Sequence, residues 1–372
     1  MLSASTKSTL NRSLLAIPRR SYNVIASEDA SRISTLAVRV NAGSRYATKD
    51  GVSHLLSRFN YQDTNDKSAL RLVRESELLS GRLESQVCRN YITLKATFLK
   101  EHLPYYVNSL ANVLYKTSFK KHELVESVLP AANYDLARYE QNPINVAKDL
   151  LYNVTFRSGL GNPLLYDGVE SVSLEDIQNF ADDVYTKENI DIIAKGVNTQ
   201  DLSKFINDSL FNSLPMGTSK LLGTKQKTYQ GEDRVRYIGS SVVSLGIPFN
   251  KEAAPQFYAL SKYLTSSLSE LSPLIHSSSA AVSGENGLFV LNLLDADASV
   301  VTENIKKVVQ GLRKGINLSK AKDYAKLELE LENQLSLVPR DLSFDAVKDF
   351  KLEKFNLAAV GDVSKLPFAD EL

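Results

Sequence analysis

The chain has 372 residues, of which 43% are apolar and 23% are charged, and its formal net charge is +1. This composition is that of a globular protein with room for about two domains, and it excludes a largely disordered chain. The near-neutral charge gives no support for nucleic-acid binding, and the sequence contains no apolar run of about 18 residues, the length typical of a membrane-spanning helix.

The first 22 residues have the composition of a mitochondrial transit peptide. They are rich in serine, lack Asp and Glu, and carry the positive charges of Lys7, Arg12, Arg19 and Arg20. Such a basic, acid-free segment is typical of import into mitochondria, so residues 1–22 are predicted to be a transit peptide. The alternative is a basic terminus without a targeting role.

A predicted strand and a predicted helix follow. Residues 36–41 alternate between apolar and polar positions as a half-buried strand does, and residues 52–59 have helical periodicity. Because the apolar residues of the helix share one face, His54, Ser57 and Arg58 are predicted to lie on the opposite, wetter face. The apolar face consists of Val52, Leu55, Leu56 and Phe59.

The polar face of this helix contains part of a zinc-protease pattern. In an inverted zinc-protease helix, H-x-x-E-H, two histidines one turn apart bind the metal and the glutamate activates water. This chain has His54 at the first position, Ser57 where the glutamate would be and Arg58 where the second histidine would be. Serine is no carboxylate base, and a cationic guanidinium has no lone pair for zinc. The alternative interpretation is an ordinary polar helix surface.

Cys88 and the histidines offer no further metal chemistry. The single cysteine, Cys88, excludes an intramolecular disulfide, which agrees with a reducing compartment, and its place beside a strand-like run predicts a small packing residue. One cysteine and four scattered histidines provide no set of ligands for haem or an iron–sulfur cluster. The histidines, predicted to be surface or capping residues, are His54, His102, His122 and His276.

The elements of the first half recur in the same order in the second half. The paired segments are 36–41 with 244–250, 56–59 with 260–263, 91–98 with 288–293, and 187–196 with 354–361. An amphipathic helix follows each member of the third pair, with Leu103, Val107, Leu110 and Leu114 buried in the first half and Val301, Ile305, Val308 and Leu312 in the second. This order predicts two homologous α/β domains, of which the second is shorter.

The composition changes between the two halves. Residues 215–232 are rich in Gly, Lys, Thr and Gln and have little periodicity, which is typical of an exposed linker. The predicted domains are therefore residues 23–214 and residues 233–372.

The order of these pieces resembles the pitrilysin-type (insulinase) metalloprotease family, in particular its mitochondrial branch. This resemblance rests on residues 42–46, 160–164 and 174–189 and covers essentially everything after the transit peptide. It implies an α+β (α/β) fold of two homologous metalloprotease-like domains, which close on each other like a clam. Each domain would be a mixed, mainly antiparallel sheet packed against helices.

The resemblance also implies where the third zinc ligand would be. Proteases of this family take it from a glutamate on a later helix, and the matching helix here, residues 127–133, has Ala131 and Ala132 in place of the acid. With His54 as the one remaining ligand, the resemblance implies a degenerate zinc site that holds no metal or cofactor and has no catalytic residue.

Longer runs resemble the non-catalytic core proteins of the fungal ubiquinol–cytochrome c reductase complex, respiratory complex III. The runs are residues 33–38, 43–51, 72–78, 160–169 and 344–351. This likeness implies a peripheral subunit on the matrix side of the mitochondrial inner membrane, within a homodimeric complex. The implied partners are core protein 1, cytochrome b, cytochrome c1, the Rieske protein and the small subunits.

Two other functions compete with this one. The first is the non-catalytic, presequence-binding subunit of a mitochondrial processing peptidase, which has a glycine-rich loop; the matching residues 265–287 are serine-rich and contain Gly284 and Gly287. The second is a protease with different chemistry, such as a Ser/His/Asp triad, although no G-x-S-x-G elbow is present in the sequence.

Overall fold

The computed structural model describes residues 22–219, 221, 226–319, 321–345 and 347–372. Of the predicted transit peptide, residues 1–21 lie outside the described residues. The described strands form two five-stranded sheets, one in each half of the chain.

The strands of the first sheet run in the spatial order β1-β5-β2-β4-β3, and those of the second in the order β6-β10-β7-β9-β8. The first strands are β1 (Asn23–Ser27), β2 (Ile33–Val40), β3 (Arg82–Val87), β4 (Ile92–Leu99) and β5 (Ile190–Lys195). The second set is β6 (Glu232–Arg236), β7 (Ser241–Asn250), β8 (Ser277–Ser283), β9 (Asn286–Asp295) and β10 (Asn356–Gly361).

The two sheets have the same topology. In each, one pair of strands is parallel, β1 with β5 and β6 with β10, and the other pairs are antiparallel. Each strand of the first sheet therefore has a counterpart in the second sheet, five strands later in chain order. This confirms the predicted duplication and the mixed, mainly antiparallel sheets.

Eleven helices of the described residues cover the sheets. They are α1 (Val52–Phe59), α2 (Ala69–Leu78), α3 (Leu103–Lys116), α4 (Lys121–Glu123), α5 (Leu129–Glu140), α6 (Pro143–Phe156), α7 (Leu174–Val184), α8 (Thr199–Asn207), α9 (Ala254–Thr265), α10 (Ala298–Lys314) and α11 (Ala321–Leu335). A π-helical segment, Leu124–Val128, joins α4 to α5.

The first sheet packs one face against helices. Along β4, buried and partly exposed residues alternate over the whole strand, as expected of a strand with one covered face. The residues that the sequence predicted as the buried face of α3 all lie in this core: Leu103, Val107, Leu110 and Leu114.

The second sheet is covered on both faces, and one cover comes from the first half of the chain. Every residue of β10 is buried, because α10 and other second-half elements cover one face and α6 covers the other. Leu151 of α6 packs on Gly246 of β7, where an added Cβ would lie 2.7 Å from a Leu151 methyl group. Asn356 Nδ2 of β10 donates a hydrogen bond to Thr155 Oγ1 of α6 at 2.8 Å. The two halves are thus in direct packing contact through α6, and not joined by the linker alone.

The serine-rich residues 265–287 are not a single loop. They match the glycine-rich loop of the processing-peptidase subunit, but residues Ser277–Ser283 form β8, which pairs along its whole length with β9. Short side chains and a β-branched valine fit an edge strand packed on α9.

Among the described residues, no helix is both long and apolar enough to cross a membrane.

Candidate functional site

Helix α1 is more buried than its sequence pattern predicts. Gly51 precedes it with φ +82°, and Val52, Leu55 and Leu56 lie in the core as predicted. However, His54 is 2% exposed and Ser57 3% exposed, so the prediction that both lie on a wet face, or are ordinary surface residues, is wrong. The periodicity identified the face toward the sheet, but it gave no sign that other segments of the chain cover the second face.

Both nitrogens of the His54 ring have a partner. The backbone N–H of Tyr166 donates to Nδ1 at 3.1 Å, and Nε2 lies 3.0 Å from Oδ2 of Asp135. Because Nδ1 accepts a hydrogen bond, the proton of the neutral ring is on Nε2 and is donated to Asp135. Burial lowers the pKa of His54, and the Asp135 carboxylate opposes this shift only in part. The ring is therefore neutral at neutral pH.

Arg58 supplies the positive charge that faces Asp135. Its Nε and Nη2 atoms both contact Asp135 Oδ2, the same oxygen that accepts from His54. The side chain of Arg58 is 39% exposed and that of Asp135 19%, so the pair lies at the mouth of the site rather than in the core. The guanidinium of Arg58 therefore lies beside both the histidine and the acid.

Asp135 is the residue of this cleft that sequence reasoning missed. The resemblance placed Ala131 and Ala132 where a family protease has its acid; Ala132 is fully buried in the core and Ala131 is partly exposed. Asp135 lies one helical turn further along α5, on the same face, and α5 packs beside α1. Asp135 follows Ala131 by four positions and Ala132 by three, and this helical spacing was the signal that could have identified it.

Ser57 is not placed as a nucleophile. Its hydroxyl donates to the backbone carbonyl of His54 at 2.7 Å, and both nitrogens of that ring are already bonded to Asp135 and Tyr166. A serine nucleophile needs a base that accepts its proton. Although Ser57, His54 and Asp135 lie in one site, they do not form a Ser/His/Asp triad.

These residues line a small cleft of about 390 Å³. Its other walls are the edge strand β3 and the start of α6, and the lining includes Ser85, Gln86, Arg138 and Tyr139. Zinc does not fit this donor set: one neutral imidazole and one carboxylate are fewer than the three protein ligands of a catalytic site, and a fixed cation stands beside them. The described residues contain no cluster of three or more His, Cys, Asp or Glu side chains suited to a metal ion.

Cys88 and the other histidines lie outside this cleft. Cys88 is exposed, so its prediction as a small packing residue is wrong; it occupies the turn after β3, where Tyr91 N donates to its Sγ at 3.2 Å. His122 and His276 are exposed, and His102 precedes α3 at its N-cap position. His122 and His276 are the surface residues that the sequence predicted, whereas His102 is partly exposed and its side chain makes no capping hydrogen bond.

Two comparisons with known proteins concern the fold. Residues 23–168 match the family described as Insulinase (Peptidase family M16). The crystal structure of a protease from Helicobacter pylori aligns with 92% of this chain and 99% of that chain, at a TM-score of 0.76 and 16% sequence identity. At this identity the likeness concerns the fold alone.

Other known proteins are more similar to this chain in sequence. The mitochondrial cytochrome b-c1 complex subunit 2 of Saccharomyces cerevisiae is 58% identical over 354 residues, which cover 95% of this chain and 96% of the relative. The subunit of the same name from Debaryomyces hansenii is 40% identical over 366 residues, with the same coverage. A probable mitochondrial-processing peptidase subunit alpha-2 of Arabidopsis thaliana is 26% identical over 49% of this chain and 37% of its own length.

Proposed function

The chain belongs to the cytochrome b-c1 complex subunit 2 family, and we propose that it is the corresponding non-catalytic core subunit of the mitochondrial ubiquinol–cytochrome c oxidoreductase. The observation that carries this proposal is the 58% identity to the Saccharomyces cerevisiae subunit over nearly the full length of both chains. The distant, half-length likeness to a processing peptidase alpha subunit gives less support to a presequence-binding role.

The lack of peptidase activity is part of the proposal and rests on the His54 cleft. Metal-dependent hydrolysis needs an ion with an open coordination position and a base for water. Here Ser57 stands in place of that base, and Arg58 neutralises Asp135 instead of a metal ion. Polar contacts hold the remnant of the site together and leave no free base on His54.

The proposed role is structural. The chain would lie on the matrix side of the inner membrane as a peripheral subunit, since none of its described helices suits a membrane span. It would pair with core protein 1 and help to hold cytochrome b, cytochrome c1, the Rieske protein and the small subunits in a homodimeric complex. In this role it supports electron transport without carrying a redox group itself.

Gentle detergent extraction of mitochondrial membranes tests the proposal. A tagged chain is expected to co-migrate on a native gel with the absorbance of b- and c-type haems, without peptidase activity of its own. Migration as a soluble heterodimer that cleaves presequence peptides would instead assign the chain to a processing peptidase. Stoichiometric zinc in the purified chain would contradict the proposed loss of the metal site.

A further inference from the structure

The second half of the chain contains a counterpart of the His54 cleft. In both halves the walls are a helix on the sheet, the edge strand and a crossing helix: α1, β3 and α5 in the first, α9, β8 and α11 in the second. Ser261 Oγ donates to Tyr258 O at 2.8 Å, just as Ser57 Oγ donates to the carbonyl of His54. The cation and acid of the first cleft also recur, as Lys262 on α9 and Glu332 on α11.

The second cleft is larger than the first. Its volume is about 1540 Å³, against about 390 Å³ for the first. Tyr258 takes the position of His54; it is 4% exposed, and burial together with the neighbouring Glu332 carboxylate raises the pKa of its hydroxyl. The second cleft therefore has more room for a bound segment.

One wall of this cleft is an unprotected sheet edge. Strand β8 is the last strand of its sheet, and among the described strands it pairs with β9 alone. Its seven residues, Ser277–Ser283, include no charge, proline or glycine. The first-half edge strand β3 differs, because it carries Arg82 and Glu84. Natural proteins protect free edges with charges or proline, or they cover them, so the uncharged β8 is suited to pair with another chain.

Contacts at both ends hold β8 in position. Ser278 Oγ donates to the backbone carbonyl of Ser261 at 2.6 Å, which ties the strand to α9. At the other end, Arg45 Nη1 donates to Ser283 O at 3.1 Å and Asn90 Nδ2 donates to Ser283 Oγ at 2.9 Å. The free backbone edge is therefore ordered before any segment adds to it, which reduces the entropy lost on pairing.

The residues that line the cleft include five acids and four cations, and this small acidic excess favours a basic occupant. Glu252 and Asp341 are exposed and have no ion pair among the described residues. The cations Lys262 and Arg340 are already paired with Glu332, and Lys251 lies 3.9 Å from Glu285. The remaining cation, Lys148 of α6, is partly buried. The apolar contacts available to an occupant include Val282, Leu335, which is 87% exposed, and Leu342.

We propose that an extended, basic segment of another subunit of the complex adds to β8 as a sixth strand, an inference that rests on the proposed function. Its backbone would pair with the free edge of β8, its basic side chains would face Glu252 and Asp341, and its apolar side chains would contact Leu335. A second copy of this chain is a poorer occupant, because pairing β8 with itself would bring the same acidic residues together. This site is separate from the His54 cleft.

Hydrogen exchange tests whether β8 is covered in the assembled complex. Amide exchange over residues 278–282 is measured by mass spectrometry for the purified full-length chain and for the intact cytochrome b-c1 complex. Exchange at the outward-facing amides is expected to be at least tenfold slower in the complex. Equal rates in the two samples would overturn the proposal.

A peptide-binding experiment tests the chemistry of the occupant. A labelled ten-residue peptide of alternating Lys and Val is expected to bind the full-length chain at least tenfold more tightly than one of alternating Glu and Val. The double substitution Glu252→Gln and Asp341→Asn should remove this preference, whereas Arg58→Ala in the other cleft should not change it. Equal binding of the two peptides, or none, would contradict a basic occupant.

Two neighbouring proline substitutions separate strand addition from loss of folding. Backbone N–H groups alternate in direction along a strand, so one of Ala280→Pro and Ala281→Pro removes a bond to β9 and the other removes an outward-facing donor. The variant with unchanged thermal stability identifies the outward position. That variant should bind the basic peptide at least tenfold more weakly, and unchanged binding would exclude pairing along β8.

Discussion

His54 Nε2 and Asp135 Oδ2 lie 3.0 Å apart, although 81 positions separate the two residues in the sequence. The contact forms because α5 packs beside α1 and presents Asp135 to the face of α1 that also carries Arg58. One carboxylate oxygen thus receives the imidazole N–H and the guanidinium. These three side chains therefore hold one another in place.

The first prediction concerns zinc. The double substitution Ser57→Glu and Arg58→His restores the H-x-x-E-H pattern and removes the cation beside Asp135. Two imidazoles one helical turn apart, together with Asp135, provide three protein ligands. We expect the variant to retain about one zinc per chain after dialysis and the unmodified chain to retain none, as measured by elemental analysis. Arg58→Ala is the control; zinc in that variant or in the unmodified chain would contradict the prediction.

The second prediction concerns pH. The pKa of His54 is lowered in the folded state, whereas in the unfolded chain it is about 6.5. Between these two values the unfolded chain binds a proton that the folded chain does not, so stability falls as the pH decreases below about 6.5. The carboxyls of Glu75 and Asp176, whose pKa is about 2, lose their contribution only at lower pH.

His54→Gln isolates this effect, because an amide can donate to Asp135 and accept from Tyr166 but does not titrate. Urea unfolding between pH 5.5 and 7.5 should show a stability difference between the unmodified chain and the variant that narrows as the pH falls. A constant difference over this range would exclude His54 as the titrating group.

Sequence reasoning predicted the elements that local periodicity specifies. The helix 52–59, the strands matching β2, β4 and β5, and their second-half counterparts were found because apolar residues recur at fixed spacing. The burial of His54 could not be predicted, since it depends on Tyr166 and Asp135, which are close only in the folded chain. The small, polar β8 was missed because its strand character comes from pairing with β9.

The third prediction concerns Arg89, which is 9% exposed and links three segments of the first half. Its Nη1 donates to the carbonyls of Leu160 at 2.8 Å and Asn162 at 2.7 Å, Nη2 pairs with Asp149, and the guanidinium lies 4.0 Å from the ring centroid of Tyr152. A lysine cannot make these planar, divergent contacts. Arg89→Lys should therefore lower the free energy of unfolding by roughly 3 kcal/mol.

Arg82→Lys is the matched control for that substitution. Arg82 is 79% exposed and pairs with Glu84 at the surface, so its replacement should change the free energy of unfolding by less than about 0.5 kcal/mol. Chemical denaturation of both variants gives the comparison. Similar effects of the two substitutions would show that the buried contacts of Arg89 are not a major source of stability.

The fourth prediction compares two glycines with positive φ. Gly51 (φ +82°) precedes α1, and a Cβ there would lie 2.6 Å from the Cα of Tyr166. At Gly168 (φ +79°) a Cβ would meet nothing within 4 Å. Gly168→Ala should be destabilising by about 1 kcal/mol from backbone strain alone, and Gly51→Ala by a further roughly 2 kcal/mol from the clash. Equal losses in thermal unfolding would show that the segment around Tyr166 moves freely.

The last prediction concerns the boundary between the predicted domains. Residues 233–372 contain the strands of the second sheet except the first residue of β6, but α6, which covers the outer face of that sheet, belongs to the first half. Without α6 the apolar residues Val242, Val290 and Val360 would face water, and a surface of this kind favours association over folding. We expect residues 233–372 alone to show no cooperative thermal transition by circular dichroism.

A synthetic peptide that supplies α6 tests this explanation. The peptide of residues 143–161 should restore the cooperative transition, whereas the same peptide with Leu151→Ala should not, because Leu151 fills the space above Gly246. A cooperative transition of residues 233–372 without the peptide would show that the boundary read from composition is also a folding boundary.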